Sequence, residues 1–200
     1  MGVGVWGAIP VGPGLKSFSS AIKGGELVAN VEYTLFERVG NGTITETWWT
    51  GQGAMDENTR VRMYIDGETE ASIDVMLFQM HGIPVGEAEE EANTPWNAGR
   101  WIGHDANGGI YNTYRIPFSK SIKITATRPT TARFWFIVRG VEGLPVVLGD
   151  LQLPPSARLR VQQVHAEFQP LQFIELINTT TSVGPKTAGA LFAVFFSGKN

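Results

Sequence analysis

Cysteine is absent from this chain, which removes disulfides, thiolate nucleophiles and Cys-based metal sites together. Histidine is scarce: His81, His104 and His165 lie far apart, and no pair has the spacing of zinc ligands, so no metal is expected. Charged residues make up only 18% of the chain, the formal net charge is −3, and there is no basic tract. Nothing in that pattern attracts a phosphate backbone, so nucleic acid is not an expected partner. No apolar run reaches the roughly 18 residues of a membrane span, so the chain reads as soluble and free of the membrane. The opening "MGVGVWGAIPVGPGLKSF" lacks the charged head and unbroken apolar core of a signal peptide. It fits a cytosolic start, or a processed, secreted form with an added Met. The sequons at Asn41 and Asn178 count only weakly toward secretion. Gly-x-Ser-x-Gly, P-loop and dinucleotide fingerprints are missing as well, and no cofactor is expected.

Turn formers are plentiful instead, with 24 Gly and 11 Pro, and they argue against long helices. About eight to ten short segments alternate apolar and polar residues with the period of a strand. The clearest is "RVRMYIDGETEASIDVMLF", Arg60 to Phe78. Val61, Met63 and Ile65 share one face; after the turn Ile73, Val75 and Leu77 share another. Asp66-Gly67 between them tolerates the positive φ of a tight turn, and the spacing before Ala71 predicts a loop longer than two residues. Leu27 to Phe36 reads as one strand and Gly42 to Thr50 as the next, with Ile44, Glu46 and Trp48 on one face and Thr43, Thr45, Thr47 and Trp49 on the other. Further strands are predicted over Ile110 to Phe118, Ser121 to Thr127, Arg133 to Gly140, Arg158 to Phe168, Leu171 to Ile177 and Ala188 to Ser197. A helical turn is admitted only over Val85 to Pro95. No repeat and no linker divides the chain. The reading is therefore all-β: a single jelly-roll β-sandwich of two antiparallel sheets over residues 1–200, with 1–26 an irregular N-terminal arm.

Three segments in order, "GNGTITETWWTG", "RVRMYIDGETEASIDVMLF" and "YNTYRIPFSKSIKITATRP", resemble the first jelly roll of glycoside hydrolase family 172. That family is associated with difructose-dianhydride and arabinofuranoside chemistry. The likeness spans roughly Leu27 to Arg128 and rests on a Gly-rich turn before an aromatic-Thr strand end, an aromatic-Asp-Gly-Glu turn, and a Pro-Phe-aliphatic segment with Ser and Lys. It implies an enzyme of two jelly rolls arranged around a trimeric ring, with the catalytic carboxylates in the second roll. Their Gly-Glu-Gly-Asp and Gly-Thr-Glu-Asp-Tyr motifs do not occur here. Where the family tends to show Gly-Asp-Phe-Phe, this chain reads Phe78-Gln79-Met80-His81. No catalytic residue carries over.

Glycoside hydrolysis needs two carboxylates facing across a sugar, about 5–5.5 Å apart for retention or about 6.5–9.5 Å for inversion. Glu87, Glu89, Glu90, Glu91 and Asp105 are the acids best placed in a loop, although a run such as "EAEEEA" is the ordinary composition of a solvated face. "GHDANGG" offers too few oxygens for calcium. The richest polar-aromatic constellation is "TPWNAGRWIGHDANGGIYNTY". Its Trp96, Asn97, Arg100, Trp101, His104, Asp105 and Tyr111 pair flat rings with hydrogen-bonding groups, as a carbohydrate site would; subunit contact or loop packing is the competing reading. Function is read as a non-catalytic self-assembling jelly roll, a homotrimeric or homohexameric ring with a capacity for glycan. The alternative is a furanoside hydrolase whose site is shared between subunits, drawing on Glu46, Asp74, Glu87 or Asp105. A further alternative is that the chain is the leading part of a longer protein.

Overall fold

The computed structural model describes residues 14–52, 58–81, 101–104, 109–148, 151–164, 166–167, 169–177 and 194. Its strands are β1 (Lys16–Leu27), β2 (Tyr33–Val39), β3 (Gly42–Gly51), β4 (Arg60–Ile65), β5 (Ile73–Met76), β6 (Ile102–His104), β7 (Ile110–Asn112), β8 (Ile116–Phe118), β9 (Ser121–Thr127) and β10 (Ala132–Glu142). A small separate ribbon joins β11 (Val147–Leu148) to β12 (Leu151–Gln152), and a 3-10 helix, Leu77–His81, follows β5. The larger sheet runs β1-β10-β3-β7-β6, with β8 also on β3; the smaller runs β2-β9-β4-β5. The pairings nest: β1 with β10, β2 with β9, β3 with β7 and β8, β4 with β5, all antiparallel. A long ribbon paired in this way and rolled up brings β10 against β3 and β9 against β4, which is the jelly-roll wiring of the expected sandwich. Among the described residues no helix is long and apolar enough to cross a membrane.

Several expected boundaries move, each for a physical reason. β1 begins at Lys16, inside the arm expected to be irregular. "LVANVEYTLF" is not one strand. Asn30 takes φ 58°, the Val31 N–H donates to the Val28 carbonyl at 3.1 Å, and the chain crosses from the larger sheet to the smaller. Asn is among the few residues that accept such a φ readily. Ile110 to Phe118 splits into β7 and β8, because the Asn112 side chain accepts the Tyr114 N–H at 2.8 Å and turns the backbone out of its ladder. Residues 158–164, 166–167 and 171–177, expected in strands, carry none. Val85 to Pro95 lies outside the described residues, as does Ala188 to Ser197 apart from Val194.

The core lies between the sheets. Val61, Met63 and Ile65 of β4 are sealed from solvent, with Ile73, Val75 and Leu77 beside them, so the alternation of the hairpin is realised as read. Opposite them stand Phe134, Phe136 and Val138 of β10, and Trp49 of β3, whose ring lies 4.4 Å from that of Phe136. Each such side chain contributes about 1.5–3 kcal/mol by leaving water. The face assignment on β3 changes midway. Ile44 and Trp49 are both buried although five positions apart, an odd number that strict alternation forbids. The register between β3 and β10 shifts at Arg139/Gly140, and this bulge hands the inward role from Ile44 to Thr47 and Trp49. At the same place Phe18 lies over Gly140. A Cβ there would sit 2.1 Å from its ring and 2.7 Å from the Thr43 carbonyl oxygen.

Asp66 closes the hairpin turn. It and Gly67 both take positive φ, 57° and 82°, and the Glu68 N–H reaches back to the Ile65 carbonyl at 3.2 Å. The Asp66 carboxylate turns inward to the β8–β9 connection. Oδ1 accepts the N–H groups of Ser119, Lys120 and Ser121 at 2.8, 2.6 and 3.1 Å; Oδ2 accepts the Ser119 hydroxyl at 2.5 Å and pairs with Arg158 at 2.5 Å. Its side chain is only 4% exposed. Burial alone would disfavour the charge, but the Ser119 hydroxyl and the three backbone donors outweigh it and bring the carboxyl down to about 2.

Two consequences are measurable. The depression from 3.8 to about 2 corresponds to about 2 kcal/mol of stability, present above the unfolded-state value near pH 4 and lost as pH falls through about 2. Asp66→Asn keeps a residue tolerant of positive φ but removes the charge. It is expected to lower the unfolding free energy at pH 7 by about that amount and to flatten the acid limb between about pH 4 and 2 in urea titrations. Gly140→Ala is expected to cost about 1–3 kcal/mol in the same assay, because its new methyl meets backbone as well as ring.

Candidate functional site

The outward faces of the two sheets differ in chemistry. On the smaller sheet they are polar and cross-linked by arginine. Arg60 grips Asp74 through two bonds of 2.6 and 2.9 Å, and Arg62 adds a contact at 3.3 Å. Arg62 also meets Glu32 at 3.3 Å, and Glu32 accepts from Thr125 at 2.6 Å and Tyr64 at 3.2 Å. The Thr125 hydroxyl is the main reason the Glu32 carboxyl falls below its ordinary value, with Arg62 and Tyr64 adding to it against the opposing effect of burial. Burial acts to raise Asp74, but the hydrogen bonds and charge of Arg60, with Arg62 behind, leave it lowered. An open depression of about 370 Å³ on this face is bordered by Glu37, Tyr64, Gly67, Glu68, Ser121 and Lys123. Two carboxylates thus share a hollow, yet both oxygens of Glu68 are engaged. Oε2 takes the Ile65 N–H and the Ser72 hydroxyl, and Oε1 takes Arg160.

The larger sheet presents aromatic rings outward. Trp135 and Ile137 lie between the sealed Phe134, Phe136 and Val138, so alternation turns them to the outer face, where both are half-buried. Trp48 precedes the core residue Trp49, and Tyr111 lies between buried Ile110 and Asn112. Register aligns them: Ala21 opposite Ile137, Ile137 opposite Trp48, Trp48 opposite Tyr111, and Tyr111 opposite Gly103. The row therefore crosses all five strands from β1 to β6. One step along, Lys23, Trp135 and Thr50 form the next row, and on the other side Arg139 bonds Glu46 at 2.8 Å. Trp101 has the same parity as Gly103; its carbonyl accepts the Thr113 N–H at 2.6 Å, and its ring stacks on Tyr114 with centroids 6.2 Å apart and planes 22° apart. Burial pushes the Tyr114 hydroxyl above its ordinary value.

Of the residues expected to form a site, Trp101 and Tyr111 are thus brought to one face. His104 lies in β6 opposite Ile110. Trp96, Asn97, Arg100 and Asp105 lie outside the described residues, with Glu87, Glu89, Glu90 and Glu91. Glu46 and Asp74, suggested for the enzymatic alternative, are on opposite sheets and held by arginine. Trp48 and Trp135, which the sequence reading does not name as candidate site residues, lie on the same face. Their signal is present in the "TWWT" and "RFWFIV" segments, where a Trp sits one position from a core aromatic, but only the register shows that Trp48 stands opposite Tyr111 and that Trp135 falls in the row beside them.

No curated protein matches the chain. Residues 17–139 match the GH172 first beta-sandwich domain, a span that runs from the start of β1 into β10 and takes in both sheets. The chain belongs to this family, through the first of its beta-sandwich domains.

Proposed function

We propose that this chain is a non-catalytic, self-assembling jelly-roll protein that takes carbohydrate on the outer face of its larger sheet. The carbohydrate part rests on one observation, the outward row of Trp48 and Tyr111 with Trp135 and the Arg139–Glu46 pair beside it. Sugar rings have flat C–H faces that stack on aromatic rings and a belt of hydroxyls suited to Arg, Glu and Thr. Assembly is supported by the same apolar face, since aromatic side chains and Arg concentrate at protein contacts. It is supported too by the resemblance to enzymes built as rings, for a repeated contact between copies gives a ring when its rotation closes. A homotrimer or homohexamer would satisfy that geometry.

The family also favours a second reading, a furanoside hydrolase with a site shared between subunits. A general acid in such a site needs a raised pKa. Among the described carboxyls, those displaced from their ordinary values, Glu32, Asp66 and Asp74, all move downward. Of the acids named for that site, Glu46 and Asp74 are each held by arginine, which supports the non-catalytic reading.

On a glycan array the intact protein is expected to bind, and Trp48→Ala or Tyr111→Ala to weaken that binding at least about tenfold, about 1.4 kcal/mol, in protein whose cooperative unfolding shows that it is still folded. Binding that survives both changes, or none by the wild type, removes the carbohydrate part. With an aryl arabinofuranoside, no release of the aryl group above buffer is expected; turnover abolished by a single carboxylate-to-amide change would put the hydrolase in its place.

A further inference from the structure

After β12 the chain stays with the body only for a stretch. Arg158 pairs with Asp66, and Arg160 reaches Glu68 at 3.3 Å. The Val161 N–H donates to the Ser72 carbonyl at 3.1 Å, and the Gln163 side-chain amide to the Asp74 carbonyl at 2.7 Å. These contacts fasten the tail along the β4–β5 hairpin and supply donors to the open edge of the smaller sheet. Farther on the character changes. Leu171 is 97% exposed and Phe173 99%, and Ile177 is exposed too. Leu171 is also held at φ 64°, in a turn where the Gln172 N–H meets the Gln169 carbonyl at 3.0 Å. A branched side chain gains nothing from that conformation in isolation.

"LQFIELI" nevertheless has the composition of a strand. Leu171, Phe173 and Ile177 fall on one face of it, Ile174 and Leu176 on the other, and no register pairs it with any described strand. A segment anchored at its base, with Leu171, Phe173 and Ile177 of one face left in water, needs a second surface. The chain carries a matching one. β1 is twelve residues long, ends the larger sheet, and among the described residues pairs on one side only, with β10. A long edge of this kind is a template for an added strand. Its inward side chains Phe18 and Ile22 are only half-buried and would continue the apolar layer onto a newcomer.

We infer that residues 171–177 of one copy add as a further strand to β1 of a second copy. This rests on the self-assembly proposed above and names the segment responsible. The arm and the edge are different surfaces, so the contact is head-to-tail and generates a ring when the rotation closes.

The test uses the full chain, and its lack of cysteine makes cross-linking clean. In light scattering at high micromolar concentration the wild type is expected to be an assembly. The double variant Leu171→Asp with Phe173→Asp is expected to fall to the 21.8 kDa of one chain, with an unchanged thermal midpoint since neither side chain packs on its own body. Mixed under oxidation, Phe173→Cys and Ala21→Cys are expected to yield a cross-linked pair severalfold above Phe173→Cys with Lys123→Cys, which lies on the other sheet. An assembly unaltered by the double variant, or equal cross-linking to Lys123→Cys, overturns the arm while leaving assembly standing. A wild type already at the mass of one chain overturns both.

Discussion

The carboxylate of Asp66 receives the Ser119 hydroxyl, three consecutive backbone N–H groups and the Arg158 guanidinium, and so couples the β4–β5 turn to the β8–β9 connection and to the tail. Much of the remaining architecture hangs from that point. The β8–β9 connection is where the chain passes from the larger sheet to the smaller, and a crossing of this kind has no ladder to set its course. Fixing it with a buried charge sets where β9 begins, and β9 is the strand that joins β2 to β4. Donors aimed at one oxygen recover in hydrogen bonds what the carboxylate loses in solvation. The Asp-Gly-Glu turn therefore has a structural explanation: Asp66 holds the crossing, Gly67 permits the turn, and Glu68 closes it onto Ile65 and Ser72.

Membership in a glycoside hydrolase family does not by itself supply an active site, because chemistry resides in particular groups carried by a fold. Here the two sheets have divided their outer surfaces. On the smaller one, Arg60, Arg62, Asp74, Glu32 and Tyr64 satisfy one another. That surface is already hydrogen-bonded and has little to gain from a partner. The larger one carries half-buried rings and aliphatic groups on its outer side, Trp48, Tyr111, Trp135 and Ile137. The proposed carbohydrate site is drawn from this face, in the row that runs from Ala21 to Gly103.

Much of this was legible in the residues. The hairpin from Arg60 to Met76 could be read to its inward side chains, and Ser121 to Thr127 to its limits, because each turns its apolar residues to one face. Elsewhere alternation misled. On β3 a bulge opposite Arg139/Gly140 reverses parity partway, and a bulge leaves no residue pattern of its own in "GTITETWW". "LVANVEYTLF" alternates well across what is in fact a corner between sheets. Arg158 to Phe168 alternates too, yet its residues 158–163 are held to the β4–β5 hairpin by side-chain bonds and a single backbone bond, from Val161 to Ser72, rather than by a ladder.

Local spacing of apolar residues was enough to establish an all-β chain and its principal hairpin, since a period of two is enforced wherever a strand separates core from water; the family likeness rests on the motifs of three segments instead. What neighbouring strands do to one another was decided only on folding. Register placed Trp48, from one strand, beside Tyr111, from another, and joined them to Ile137 of a third; it also set Glu46 against Arg139 and, among the described residues, left β1 paired on one side only. Pairings between residues so distant in the chain depend on which strands become neighbours when the ribbon rolls up, and no short window of sequence carries that information.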